Sequence, residues 1–176
     1  MEIAVEVKIP KERIAVLIGA KGETKKQIEI RTKTKISVSK EGDVIIKGDD
    51  GFACMLGSQM VKAIGRGFSP DKAEMLSDER YFMTIINLKQ FGGSDESLQR
   101  LRSRIIGTDG KARRVMEDLS NTFISVYGKT VSILGETENV INAKKGIEMI
   151  LQGAKHSTAY HYLEKLNRKK RATGIL

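Results

Sequence analysis

The chain has 176 residues, of which 30% are charged and 40% apolar. That balance excludes a disordered polypeptide and allows one large domain or two small ones. Its 31 basic and 22 acidic side chains leave a net charge of +9, so a polyanion such as nucleic acid is the expected partner. A single cysteine, Cys54, excludes an internal disulfide and fits a reducing cytoplasm.

In chain order, Ile3, Val5, Val7 and Ile9 alternate with Glu6 and Lys8, the period of a half-buried strand that Pro10 ends. The opening MEIAVEVKIP is unlike a signal peptide, and no apolar run nears the roughly 20 residues that span a bilayer, so no membrane association is expected. KERIAVLI (Lys11–Ile18) suits a short helix. After the turn Gly19-Ala20-Lys21-Gly22, ETKKQIEIRT has helix formers and no breaker. KISVSKEGDVIIKG (Lys35–Gly48) reads as a hairpin of β-branched residues around a glycine turn. Phe52, Leu56, Met60 and Ile64 recur every four positions as an apolar helical face, and Cys54 beside them is expected to be buried. Ser69–Glu79, net charge −3, has a serine cap and Pro70 at the first helical position, as in a short connector helix.

The order then repeats. YFMTIINL (Tyr81–Leu88) is a strand and ESLQRLRSRII (Glu96–Ile106) a helix. Gly107-Thr108-Asp109-Gly110 is a second turn, and the helix after it turns Val115, Met116 and Leu119 inward. FISVYGKTVSILG (Phe123–Gly135) is a second hairpin, and Val140, Ala143, Ile147 and Ile150 mark a closing helix. Gly107 lies 88 residues after Gly19, and Ile124 lies 88 after Ile36, whereas Gly135 lies 87 after Gly48. The chain is therefore an internal repeat whose second hairpin is one residue shorter. The expected domains are residues 1–68 and 80–152, joined by an acidic connector over 69–79. Residues 153–176, net charge +5, have no partner in the first copy. Tyr160, Leu163 and Leu166 offer a narrow apolar face and Arg168, Lys169, Lys170 and Arg171 a basic run. This segment reads as a basic helix or arm on which the fold does not depend; the structural alternative is a helix that packs Leu163 and Leu166 against the second domain.

Two glycines separated by two residues allow backbone conformations closed to other residues and remove side chains from the path of an approaching backbone. A helix starts at each turn, so unpaired amides and the positive end of its dipole face the turn. Lys21, Lys25 and Lys26 surround the first turn, and Lys111, Arg113 and Arg114 the second. The pattern suits a phosphate or a run of phosphates. The spacing fails both the nucleotide-hydrolysing loop and the dinucleotide fingerprint, and no cofactor motif is found. A groove for extended single-stranded nucleic acid remains, with bases over apolar residues: Ile18, Ile28 and Ile36 in the first copy, Ile106, Met116 and Ile124 in the second. Aromatic residues are only 5% of the chain, too few for stacked aromatic platforms. His156 and His161 have no metal-ligand companions, no local motif supports catalysis, and Glu23 and Glu29 read as charge balance.

IPKERIAVLIGAKGETKKQIEIRTKTKISVSKEGDVIIKG resembles a KH domain of the eukaryotic type, strand-helix-helix-strand-strand-helix, with Gly19–Gly22 as its GXXG loop; RIIGTDGKARRVMEDLSNTFISVYGKTVSILG resembles a second. The resemblance implies an α+β fold of two tandem type I KH domains, each a three-stranded sheet packed on helices, with GXXG loops that clamp single-stranded RNA. SRIIGTDGKARRVME together with ILQGAKHSTAYHYLEKLNRK is similar to the ribosome-assembly KH proteins of the Dim-two, or partner-of-Nob, family. The missing long N-terminal extension of eukaryotic members points to the archaeal type. Membership implies an RNA-binding protein that acts in maturation of the small ribosomal subunit near the 3′ end of its RNA; from the residues themselves no catalysis is expected, and a monomer is the expected state. Expected partners are that RNA and either the maturation nuclease or a translation factor. The alternatives are a protein-recruiting scaffold and a KH subunit of an RNA-degrading complex, the latter normally carrying an additional RNA-binding barrel. Asp109 departs from the pattern of cations around the turns and leaves open whether both grooves bind RNA.

Overall fold

The computed structural model describes residues 1–174; Ile175 and Leu176, the end of the basic segment, lie outside the described residues. The chain divides into two units, Met1–Tyr81 and Phe82–Leu176.

In the first unit β1 (Ile3–Lys8) ends before Pro10. A 3-10 turn (Lys11–Arg13) runs into α1 (Ile14–Ile18), and the Gly19–Gly22 turn leads to α2 (Glu23–Thr32). The hairpin β2 (Lys35–Val38) and β3 (Asp43–Gly48) follows, then α3 (Gly51–Gly65). The sheet is antiparallel with β3 in the centre, order β1-β3-β2, so β2 is an edge strand. Ile46 faces Val5 on one side and Ile36 on the other. Strand alternation sends Val7, Ile36, Val44 and Ile46 to one face, where they are buried with Leu17, Ile28, Met60, Val61 and Ile64 of the helices. Each such aliphatic contributes about 1.5–3 kcal/mol by leaving water.

Asp50 caps α3, its carboxylate accepting from the Ala53 amide at 2.9 Å. At the other end the Arg13 guanidinium donates to the carbonyls of Ile64 (2.7 Å) and Phe68 (2.8 Å). Cys54 is fully buried; burial, aided by Asp50 and Asp49, pushes its thiol pKa up. The apolar face expected on α3 is corrected at its start, because Phe52 is 60% exposed. At 3.6 residues per turn, a four-residue spacing drifts by roughly 40° per step. Three steps from Ile64 carry Phe52 out of the stripe, and Cys54, Gly57 and Ser58 take the buried positions. The connector forms α4 (Pro70–Glu74) and a 3-10 turn (Met75–Ser77). Ser69 has the extended backbone of a cap, but its side chain makes no cap hydrogen bond. The segment packs onto the first unit through buried Ala73 and Leu76 and through the Arg31–Glu74 ion pair.

The second unit repeats the plan with β4 (Tyr81–Asn87), which begins at the boundary, α5 (Asp95–Ile106), α6 (Lys111–Ser120), β5 (Thr122–Tyr127), β6 (Thr130–Glu136) and α7 (Thr137–Leu151). Its strand order is β4-β6-β5. Ser94 and Ser97 form a reciprocal cap that starts α5. Met116 is buried, Leu119 packs partly buried against the core, and Val115 stays half-exposed. The last segment follows the structural alternative, a helix packed on the second domain. It is α8 (His156–Ala172), and Ala159 and Leu163 are buried in the same core as Ile133, Val140 and Ile147. The Asn167 amide donates to the Leu119 carbonyl at the end of α6 (2.7 Å). Lys170 donates to Asn139 (2.7 Å) beside Glu138 (3.7 Å) in the first turn of α7. The helix is therefore part of the core of the second unit.

Candidate nucleic-acid interface

The two GXXG turns are built alike. Gly19 has φ 74° and ψ 176°, and Gly107 has φ 71° and ψ 179°, a region open essentially to glycine alone. Each is also hemmed in: a Cβ on Gly19 would lie 2.3 Å from Thr24 Oγ1, and one on Gly107 would lie 2.6 Å from Ala112 Cβ. The first glycine of each turn is thus required by the start of the next helix. Gly22 (φ 76°) and Gly110 (φ 73°) also need left-handed backbone, but a Cβ there would meet nothing within 4 Å, so this side of the turn is open.

Each turn closes on itself. The Gly22 and Glu23 amides donate to Gly19 and Ala20 carbonyls, and those of Gly110 and Lys111 to Gly107 and Thr108. The remaining amides, of Ala20 and Lys21 and of Thr108 and Asp109, have no partner among the described residues, and all four residues are exposed. Two unpaired amides at an open turn in front of a helix are suited to an anion. Lys21 and Asp109 are themselves left-handed, at φ 54° and 53°. Aspartate tolerates that conformation better than most residues, which gives Asp109 a backbone reason for standing where a cation was expected.

The cations divide into two groups. Lys21, Lys26 and Lys111 are exposed and make no hydrogen bond or ion pair among the described residues. Arg114 braces the second turn by donating to the Asp109 carbonyl at 2.9 Å. Lys25 and Arg113 do not reach the turns as free charges. Lys25 Nζ donates to the Ile36 carbonyl (3.0 Å) and pairs with Glu29 (3.4 Å), while Glu29 accepts the Ile36 amide (2.7 Å). Arg113 donates to the Ile124 carbonyl (3.4 Å) and to Glu117 (3.1 Å), which accepts the Ile124 amide (2.8 Å). In both units an ion pair spaced four apart on the helix fills the outward backbone groups of one edge-strand residue. Glu29 is therefore more than charge balance. The available signal was that Glu117 stands 88 residues after Glu29, the spacing of the repeat.

Of the residues expected beneath the bases, Ile18 and Ile106 are half-exposed beside the turns. Ile28, Ile36, Met116 and Ile124 are at most 4% exposed; their side chains belong to the cores and support the groove from behind. In α8, Arg168, Lys169 and Arg171 are exposed, whereas Lys170 is held against α7. His156 and His161 are bonded to the Arg104 carbonyl and to Glu164. No group of three or more metal-ligating side chains occurs among the described residues, and no helix among them is long and apolar enough to cross a membrane.

Residues 4–63 match the KH domain model, and residues 82–168 match a model described as a eukaryotic-type KH domain, KH-domain type I. The chain is 43% identical over 171 residues to a KH domain-containing protein of Methanocaldococcus jannaschii, covering 94% of this chain and 75% of that one. It is 32% identical to the pre-rRNA-processing protein PNO1 of Chaetomium thermophilum over 78% of its length, and spans half of that longer relative. Dim2p of Pyrococcus horikoshii superposes with a TM-score of 0.86 at 45% identity, covering 93% of this chain and 99% of Dim2p. A crystal structure of an a/eIF2alpha-aDim2p-rRNA complex from the same organism matches with a TM-score of 0.88 at 44% identity, covering 96% of each chain. The duplicated turns, the two sheets with matching strand orders and these likenesses agree: the chain belongs to the two-KH-domain proteins of the Dim2/PNO1 type.

Proposed function

We propose that the chain binds single-stranded ribosomal RNA of the small subunit near its 3′ end and assists its maturation in the cytoplasm without catalysing a reaction. The two KH modules are residues 1–68 and 80–152. The observation that carries this reading is the twice-built turn, with two unpaired amides and exposed lysines in and after it. Phosphates of the strand lie against the amides of Ala20 and Lys21 and of Thr108 and Asp109, with Lys21, Lys26 and Lys111 as counter-charges. Bases lie over Ile18 and Ile106 toward the edge strands. The names of the relatives support ribosomal RNA as the substrate, since PNO1 is a pre-rRNA-processing protein and aDim2p crystallised with rRNA. The same complex contains a/eIF2alpha, which favours a translation initiation factor as the protein partner; a maturation nuclease rests on the sequence resemblance alone.

Crosslinking the chain to RNA in cells and mapping both sides of the crosslink tests the proposal. Crosslinks are expected on peptides carrying the two turns and on the 3′ region of small-subunit RNA. Crosslinks that avoid both turns, or that fall on unrelated transcripts, overturn it.

A further inference from the structure

An open cleft of about 530 Å³ lies beside the second turn, outside the groove between α6 and the edge strand β5. Its walls include Arg100, Ser103 and Arg104 from α5, Thr108 from the turn and His156 from α8, and no acidic side chain lines it. It is continuous with the candidate groove, because Ile106 and Gly107 belong to both. Arg100 is exposed and makes no hydrogen bond or ion pair among the described residues. The Arg104 guanidinium donates only to carbonyls, of Ile150 (2.8 Å) and Ala154 (2.7 Å), so no carboxylate neutralises its charge. His156 Nε2 lies 2.7 Å from the Arg104 carbonyl; a carbonyl only accepts, so this nitrogen carries the proton and the ring is fixed as part of the wall.

We infer that this cleft is a second phosphate-binding subsite, which holds the backbone of the RNA strand where it leaves the second GXXG turn. The inference rests on the RNA-binding reading above. Arg100 supplies the mobile charge, Arg104 a fixed one, and Ser103 and Thr108 hydroxyl donors. The cleft restores at the flank the positive potential that Asp109 removes from the turn, so the second module grips a strand that runs past its groove better than one that ends there.

The test measures affinity of the intact chain for randomised single-stranded RNA of about four nucleotides, enough for one GXXG groove, and of about twelve. Arg100→Glu is compared with Lys145→Glu, which makes the same charge change at an exposed α7 residue outside the cleft. Arg100→Glu is expected to weaken the longer RNA about tenfold and to flatten its log-log salt slope by about 0.7 per lost contact. The short RNA should change less than about twofold, as should either RNA with Lys145→Glu. Equal effects of the two variants on the longer RNA, or equal losses on both lengths with Arg100→Glu, overturn the subsite. An unaltered chain that binds neither RNA overturns the RNA-binding reading itself, and the subsite with it.

Discussion

At the residue scale, the glycines of each turn do different work. Gly22→Ala places an alanine in left-handed backbone with free space around it, at a cost of about 1–2 kcal/mol. Gly19→Ala adds a collision with Thr24 in a conformation that is nearly glycine-only, so its cost should be larger by a further 1–3 kcal/mol or so. Urea midpoints of the two variants check this; equal midpoints would mean that the turn relaxes freely. Glu29 offers a second test. Glu29→Ala leaves the Ile36 amide without its acceptor and Lys25 without its counter-charge, and should destabilise by about 1–3 kcal/mol. Glu29→Gln keeps an acceptor and should recover part of the loss. Thermal melts of both variants distinguish a backbone role from charge balance, for which alanine and glutamine would behave alike.

At the element scale, the two units reach one solution by different residues. Arg13 ties the end of α3, and Arg104 ties the end of α7, each donating to one carbonyl in the last helical turn and one just past it. The two arginines are 91 positions apart rather than 88, so the repeat spacing hides the correspondence. Strands, turns and helix order were legible in the sequence because period-two and period-four patterns register burial directly. The docking of α8 was legible only as one of two readings, since the narrow stripe of Tyr160, Leu163 and Leu166 suits a packed helix and a solvent-facing arm alike. The strand-edge ion pairs were harder to read: they join side chains to a backbone seven and eleven residues away, and only the repeat of Glu29 at Glu117 pointed to them. The observed packing of α8 yields a prediction. Deleting residues 167–176 removes the Asn167 and Lys170 bonds but keeps Leu163. It should lower the melting temperature by a few degrees, about 1–2 kcal/mol for the lost hydrogen bonds. An unchanged melting temperature would show that α8 is held by Ala159 and Leu163 alone.

At the scale of the whole molecule, the +9 charge and the two turns predict binding that weakens steeply with salt. If about four phosphates are held, the log-log slope should be about −3; a flat response would remove the electrostatic basis of the reading. The turns should not contribute equally. Ala20→Asp with Lys21→Asp places two carboxylates at the unpaired amides, and aspartate suits the left-handed position 21, so the fold should be spared. This double change should cost more affinity than Thr108→Asp, because the second turn already carries Asp109. Titrations of both variants with one RNA decide it, and a greater loss from Thr108→Asp would make the second groove dominant.

The ion pairs on the strand edges also matter when no RNA is present. A sheet edge is a template on which a strand of another molecule can pair. β2 and β5 each form one edge of their sheet, β1 and β4 forming the opposite edges, and the outward amide and carbonyl at Ile36 and Ile124 are already taken by side chains of their own module. A second copy arriving at the β2 or the β5 edge finds a rung of the ladder filled, and must break a charged pair before it can zip on. Lys25, Glu29, Arg113 and Glu117 therefore guard the β2 and β5 edges against strand-to-strand aggregation, a protection that matters most when the chain is abundant and its nucleic acid is scarce.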